Sequence, residues 1–161
     1  MSKTTEVTIT PFDLASLDTG AASDNGARIE IVHPTTKEGL GMFITVLGKH
    51  SQVFRDIIKE RVDNRIKAES LAVQRGKSVP TKTAETVERE AVELLAACTI
   101  GWDTEVKDDE GEVVETKPAW FFRGEWIEFN IPNAMRVFTD LLWIREQVDN
   151  AIGDLENFIK A

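Results

Sequence analysis

The segment from residue 131 to residue 160 carries apolar side chains at helical spacing, and this periodicity restricts the possible folds more than any other stretch of the chain. The stripe recurs every three or four positions and comprises Val137, Leu141, Ile144, Val148, Ile152, Leu155 and Ile159. Such spacing aligns the side chains along one side of a helix. Asn130 is a candidate N-cap, and Pro132 falls in the first turn, where its missing N–H costs least. The pattern predicts one long helix, or two helices with a bend near Trp143.

Two further helices are predicted upstream. The first begins after Ser51, a favourable N-cap, and ends at Gly76, because glycine suits the left-handed residue that closes many helices. Its apolar residues have a period of four: Phe54, Ile58, Val62 and Ile66. The second begins after Thr83 and ends at Gly101. Its apolar face consists of Val87, Ala91, Leu94, Leu95 and Cys98. We expect the C-terminal stripe, including Leu155, to be buried against this second helix.

The strand signals are shorter. Residues 28–34 alternate weakly and stop at Pro34, and residues 42–48 are rich in β-branched and aromatic side chains, so the two predict a β-hairpin. Residues 102–129 are acidic and then aromatic, and predict one or two short strands joined by an exposed, mobile acidic loop at 103–117. The predicted fold is α+β and predominantly helical, with an N-terminal β-hairpin and short strands packed on a bundle of about four helices.

The length of 161 residues fits one domain. Residues 1–27 are polar and rich in small residues, and we expect a flexible N-terminal arm there, with a single domain at 28–161. The N-terminal residues lack the apolar core of a signal peptide, and no run approaches the ~18 apolar residues of a membrane span. These features predict a cytosolic protein.

The charge is acidic overall and unevenly spread. The net charge is −9, which argues against nucleic acid or an anionic membrane as the main partner, because such binding needs a cationic face. Residues 49–77 nevertheless hold eight basic side chains against four acidic ones. Cys98, the single cysteine, excludes an intramolecular disulfide and is predicted to be a buried structural thiol.

Motifs for catalysis or cofactor binding are incomplete. The Gly-Lys-Ser at 76–78 would need a glycine at position 71 to resemble a phosphate-binding loop, and that residue is Leu71. A calcium loop around Gly111 would begin at Val106, where a carboxylate is required. His33 and His50 are predicted to make local hydrogen bonds rather than to bind metal. We therefore predict no enzyme, no metal and no cofactor.

One aromatic cluster, Ala-Trp-Phe-Phe-Arg-Gly-Glu-Trp at 119–126, has two interpretations. Its bulky side chains suit a core between sheet and helices. Tryptophan, phenylalanine and arginine are also the usual anchors of protein interfaces. Both interpretations stay open, and they are compatible if they apply to different residues.

Three stretches, taken in order, carry a family resemblance. They are residues 31–56, with a strand, His-Pro, a Thr-rich turn, a second strand and a Ser-capped helix; Ala-Cys-Thr-Ile-Gly-Trp-Asp at 97–103; and residues 129–161, with Asn-Ala opening a helix, an Ile-Arg-x-Gln-Val step and a closing Asn-Phe. Their order and spacing resemble the tail assembly chaperones of long-tailed, siphovirus-type bacteriophages. The resemblance covers about residues 28–161 and transfers no catalytic residue.

The resemblance implies a helper in the host bacterial cytoplasm that is absent from the mature virion. Its implied partners are the phage tape measure protein, which it binds, and the tail tube protein, whose assembly it promotes; self-association is a further option. The candidate protein-binding residues are Arg55, Lys59, Arg65, Trp120, Phe121, Trp126 and Trp143, the three basic ones as a charged rim for a helical client. The alternatives are a structural tail-completion or connector component of the virion, and a small phage protein that inhibits a host protein.

Overall fold

The computed structural model describes residues 9–159, and over these residues the chain has an α+β architecture. The helices there are α1 (Thr19–Asn25), α2 (Gln52–Gln74), α3 (Ala84–Ala97), α4 (Ile131–Asp140) and α5 (Leu142–Gly153). The strands are β1 (Ala27–Val32), β2 (Gly39–Val46), β3 (Thr99–Lys107), β4 (Val113–Lys117), β5 (Ala119–Phe122) and β6 (Glu125–Glu128). Short 3-10 helices occupy Leu14–Leu17 and Leu155–Asn157. The predicted α+β class, with strands beside a helical bundle, is confirmed.

Strands β1 to β4 form one antiparallel sheet in chain order, and β5 pairs with β6 in a separate antiparallel ribbon. The predicted N-terminal hairpin is β1–β2, in which Ile29 is opposite Ile44. On the other side of β2, Ile44 is opposite Trp102 of β3. Because residues alternate between the faces of a strand, Ile44, Val46 and Trp102 lie on one face, and all three are buried. The core therefore lies between this face and the helices α3, α4 and α5.

The predicted helix ends are set by side-chain caps. The hydroxyls of Ser51 and Thr83 accept hydrogen bonds from Phe54 N and Thr86 N, at the starts of α2 and α3. The Asn130 side chain accepts from Asn133 N, with proline in the first turn of α4. Gly76 follows α2 with a φ of 65°. These ends match the sequence because a cap uses donors within three residues of the side chain.

The C-terminal stripe is split between two helices, as one of the two alternatives predicted. Leu141, with φ −117° and ψ 89°, leaves the helical conformation between α4 and α5. The break re-aims α5 so that Val137 before it and Ile144 after it are both buried. Helix α5 packs on α3 and α4, and also on β1 and β2. The surface of α5 that packs on α3, as predicted, is therefore only part of the surface that α5 buries.

Arg145 and Gln147 of the Ile-Arg-x-Gln-Val step at 144–148 each have a distinct contact. The Arg145 guanidinium lies 2.9 Å from Glu88 of α3. The Gln147 amide pairs with the backbone of Val32, because its Nε2 donates to the Val32 carbonyl (2.8 Å) and its Oε1 accepts from Val32 N (3.0 Å). Strand β1 is an edge strand, so Gln147 satisfies backbone groups that no neighbouring strand reaches.

The acidic loop predicted for 103–117 is wrong for most of its length. Residues to Lys107 belong to β3, those from Val113 belong to β4, and the two pair as a hairpin. Only the turn between them is irregular, and the Asp108 carboxylate accepts from Glu110 N and Glu112 N within it. Acidic residues have a low strand propensity. Two interactions offset it here: β3 pairs with β2, and Arg28 forms ion pairs with Asp103 and Glu105.

Helix α3 differs from its prediction in both its end and its buried face. It ends at Ala97, and Gly101 lies inside β3. Just before β3, the Cys98 carbonyl accepts from Leu47 N, at the point where the pairing of β3 with β2 begins. The buried residues are Val92, Leu95, Ala96 and Cys98. Val87 and Ala91, predicted for the apolar face, are exposed because α3 faces the sheet and α4 with its C-terminal half.

The N-terminal arm predicted for 1–27 includes helix α1, and here the structure differs from the expectation. The Asp24 carboxylate accepts from Gln52 N (2.8 Å), and Thr19 Oγ1 lies 2.7 Å from Nδ1 of His50. Ser23 is fully buried. These contacts attach α1 to the start of α2, so residues 19–25 belong to the folded body. Residues 9–18 are exposed and include the 3-10 helix Leu14–Leu17. Residues 1–8, also part of the predicted arm, lie outside the described part of the chain.

Gly48, just after β2, lies close to Ser23 of α1. A Cβ added there would lie 2.4 Å from Ser23 Oγ and 2.8 Å from Ser23 Cβ. We expect Gly48→Ala to lower the free energy of unfolding by about 1–3 kcal/mol, as other overpacking substitutions do. Urea unfolding measures it. Gly101→Ala is the matched control, since an added Cβ meets nothing within 4 Å there. Equal stability of the two variants would contradict the packing of α1 on Gly48.

Candidate protein-binding cleft

An apolar cleft opens between the start of β2, strand β5 and the junction of α4 and α5. It has a volume of about 210 Å³ and is lined by Leu40, Met42, Trp120, Phe121, Phe122, Val137, Leu141, Trp143 and Ile144. We call this site the aromatic cleft. The lining side chains are all apolar, so the site is suited to bind apolar groups of a ligand and offers no acid or base for catalysis.

Trp120 forms the rigid wall of the aromatic cleft. It is 1% exposed and stacks on Trp102, with 4.4 Å between ring centroids and 8° between planes. Its Nε1 lies 3.1 Å from the Phe43 carbonyl and 3.2 Å from the Asp103 carbonyl, so a single indole N–H bonds β5 to both β2 and β3. Trp102 in turn donates from Nε1 to the Ile127 carbonyl (3.0 Å). This network holds the small β5–β6 ribbon on the main sheet.

The other aromatic residues of the ribbon remain open to solvent. Phe121 is 56% exposed and pairs edge to face with Trp126, at a centroid distance of 5.2 Å. Trp126 is 42% exposed, and the Lys117 ammonium lies 4.5 Å from its ring centroid. The core interpretation is confirmed for Trp120, and the interface interpretation stays a prediction for the exposed residues. Trp120 is core, whereas Phe121 and Trp126 are available for contact with another molecule.

Cationic side chains border the aromatic cleft at Phe122. The guanidinium carbons of Arg123 and Arg136 lie 4.8 Å and 5.3 Å from the centroid of that ring. Arg123 also pairs with Asp140 at the end of α4 (3.1 Å). Arg123 adopts a positive φ of 51° and Gly124 one of 80°, which is the turn geometry that joins β5 to β6 in a tight hairpin. The ribbon turn therefore places positive charge beside an apolar site.

The structure brings together some of the predicted binding residues and separates others. Trp120, Phe121 and Trp143 line the aromatic cleft, and Trp126 adjoins it through Phe121. Arg55, Lys59 and Arg65 are exposed on α2 and do not line the cleft. Arg65 pairs with Glu69 (3.0 Å), and Arg55 Nη2 donates to Gln52 Oε1 (3.3 Å).

Sequence reasoning missed part of the lining: Leu40, Met42, Phe122, Val137, Leu141 and Ile144 were not predicted as binding residues. The missed residues come from three distant stretches of chain, and no sequence spacing links them. Leu40 is the only one of them with a local signal, since it is an exposed apolar residue between two glycines at the start of β2.

Cys98 and His33, two residues outside the aromatic cleft that were considered for reactivity or metal binding, have structural roles. Burial raises the pKa of the Cys98 thiol to about 11, so the predicted buried structural thiol is confirmed and stays protonated at neutral pH. His33 Nδ1 accepts from Thr35 N and Thr36 N, a local turn contact that confirms the prediction for this residue. Over residues 9–159, His, Cys, Asp and Glu side chains form no group of three or more that is placed to bind a metal ion. In the same residues, no helix combines the length and apolar character of a membrane crossing.

Comparison with known proteins identifies no relative of this chain. No protein-family model, no curated protein and no solved structure matches it. The arguments for a function are therefore the ordered stretches of the sequence and the aromatic cleft.

Proposed function

We propose that this protein is a tail assembly chaperone of a long-tailed bacteriophage that binds apolar helical segments of the tape measure protein in the aromatic cleft. In this proposal it acts in the host bacterial cytoplasm, promotes assembly of the tail tube protein, and is absent from the mature virion. The family-like stretches at 31–56, 97–103 and 129–161 support the assignment. The aromatic cleft is the observation that supports the proposed binding mode.

The cleft suits a client of this kind for a physical reason. A tape measure protein consists of long amphipathic helices, and such helices bind by laying their apolar residues into an apolar groove. Stacking and the indole hydrogen bonds already hold Trp120, so this wall of the cleft is preorganised before a client binds. Phe121 and Trp126 extend the contact surface, and Arg123 and Arg136 supply a cationic border for acidic residues of the client.

The proposal does not assign Arg55, Lys59 and Arg65 to the client. They lie on α2 and do not line the cleft. Exposed charges contribute little to stability, so a triple Glu variant of these residues should fold normally. If they nevertheless form the client rim that the sequence suggested, this variant would lose the tape measure protein most at low salt, where screening is weakest.

Co-expression with the tape measure protein of the same phage tests the proposal. The parent protein should keep the client soluble and co-purify with it. Phe121→Glu combined with Leu40→Glu should weaken the purified complex about 30-fold or more, the effect of losing one strong interface anchor. Both residues are exposed, so their replacement should leave the fold intact.

Val114→Glu is the matched control, because Val114 is an exposed apolar strand residue that does not line the aromatic cleft. It should bind the client as the parent does. If the cleft variant binds equally well, the client lies elsewhere on the protein. If the parent does not bind the client at any salt concentration, the chaperone assignment fails. Mass spectrometry of purified virions then tests the tail-component alternative, which requires stoichiometric protein in the particle.

A further inference from the structure

Helix α2 has an exposed apolar stripe on the outside of the fold. The helix has 23 residues, and none of them is buried. Ile58, Val62 and Ile66 follow each other at intervals of four and are 39%, 50% and 54% exposed. That spacing puts them on one side of the helix, a little more than one turn apart. Within residues 9–159, the chain leaves this stripe open.

A different side of α2 faces the rest of the molecule. Arg61 donates from Nη2 to the Glu90 carbonyl of α3 (2.7 Å), and Phe54 packs against the core at the first turn. The main contacts of α2 are with α1 and α3. Three aliphatic residues on successive turns of the remaining surface are unusual in a surface helix, whose outward side is normally polar.

We infer that α2 binds α2 of a second copy of this chain, antiparallel, with a two-fold axis at Val62. In this register Val62 meets Val62 of the second copy. Ile58 and Ile66 lie four residues on either side of Val62, so each meets the other residue of the second copy. Each of the three apolar residues of the stripe thereby packs against an apolar residue of the second copy. Residues seven apart lie close to the same side of a helix, so the same register extends to positions 55 and 69.

The charges at the two ends of the stripe are self-complementary in this register. Arg55 and Glu69 each lie seven residues from Val62, so they face each other across the axis at both ends of the contact. Glu69 already accepts from Arg65 of its own helix at 3.0 Å, and Arg55 of the second copy would add a second guanidinium to that carboxylate. Lys59 is level with Arg65 of the second copy and two residues from Asp63 of that copy, so the complementary charges are those of Arg55 and Glu69. Such self-complementarity is what an isologous two-fold interface requires, and it selects a second copy over an unrelated partner.

A contact of one helix with one helix lies at the small end of protein interfaces. We therefore expect a weak dimer whose population rises with protein concentration. The inference concerns α2 alone and is independent of the aromatic cleft, so it can be tested without the tape measure protein.

Sedimentation velocity over a range of protein concentrations tests the dimer. Val62→Glu and Val62→Lys should each weaken dimerisation at least tenfold, because each places like charges on the axis. An equimolar mixture of the two variants should recover dimerisation, since Glu then faces Lys. Val62 is half exposed, so both variants should keep the thermal unfolding midpoint of the parent.

Leu71→Glu is the control. Leu71 is 47% exposed, much like Val62, but the nine residues between them place it on the opposite side of α2. It should dimerise as the parent does. A disulfide test gives a second readout: Val62→Cys should cross-link to itself under mild oxidation, and Lys67→Cys should not, with the buried Cys98 unreactive in both.

Three results would overturn the inference. The first is a parent protein that stays monomeric at all concentrations. The second is a Glu and Lys mixture that fails to restore the dimer. The third is a Leu71→Glu variant that dissociates as readily as Val62→Glu. If the parent is monomeric and Val62→Glu weakens binding of the tape measure protein, the stripe belongs to the client instead.

Discussion

Trp120→Ala is expected to lower the free energy of unfolding by about 3–5 kcal/mol, the usual loss for a buried aromatic residue. Trp120 is fully buried, stacks on Trp102, and donates its indole N–H toward the carbonyls of Phe43 and Asp103. The substitution removes apolar contact area and leaves a cavity. It also leaves two strand carbonyls without this donor, which adds a desolvation cost. Urea unfolding followed by circular dichroism measures the change.

Trp126→Ala is the matched comparison for this measurement, because Trp126 lies on the same β5–β6 ribbon and is 42% exposed. It should cost less than about 1 kcal/mol, as surface substitutions usually do. Similar losses for the two variants would mean that the ribbon does not pack through Trp120. The same pair separates stability from binding, since Trp126→Ala is expected to weaken client binding while the fold stays intact.

Ile152→Ala is expected to cost about 2–5 kcal/mol, the range for large-to-small substitutions in a core. Ile152 is fully buried in the last turn of α5, and its carbonyl accepts from Lys49 N (3.0 Å), which ties α5 to the loop before α2. The sequence predicted that Leu155 would be buried in the same way, with a loss of this size. Leu155 is only half-buried, in the short 3-10 helix after α5, so Leu155→Ala should cost about 1 kcal/mol.

Parallel urea titrations of the two variants decide between these positions. A larger loss for Leu155→Ala than for Ile152→Ala would contradict the end of α5 at Gly153. It would favour instead the longer helix that the apolar periodicity suggested. Equal denaturant slopes in the two titrations are needed for the comparison, because a change in slope reports a change in the unfolded state.

Helix starts are the features that the sequence by itself determined best. Ser51, Thr83 and Asn130 were each predicted as caps, and each accepts a backbone hydrogen bond at the first turn of its helix. The β1–β2 hairpin was predicted as well. These features depend on residues close together in the chain, so local hydrogen-bonding chemistry and side-chain periodicity suffice to locate them. The burial of Cys98 follows the same logic, since its neighbours are apolar.

The tertiary structure alone decided the path of the chain from Gly101 to Phe122. Acidic residues at 103–115 disfavour a strand locally, yet β3 and β4 form because β2 offers an open edge and Arg28 neutralises Asp103 and Glu105. Long-range pairing therefore outweighs local propensity in this stretch. Helix α3 likewise buries Val92 rather than Val87, because the positions of the sheet and α4 determine which face of α3 is covered.

The aromatic cleft also exists only in the tertiary structure. Its aromatic residues were candidates from composition, but the separation of the buried Trp120 from the exposed Phe121 needs the pleat of β5 against the sheet. Leu40 lines the same cleft as Trp120 and Leu141 only after the hairpin, the ribbon and the helix break are all in place. Residue type determined which side chains were able to bind a partner. The tertiary structure decided where they lie, since it brings residues about 80 and 100 positions apart into one cleft and such separations leave no periodicity in the chain.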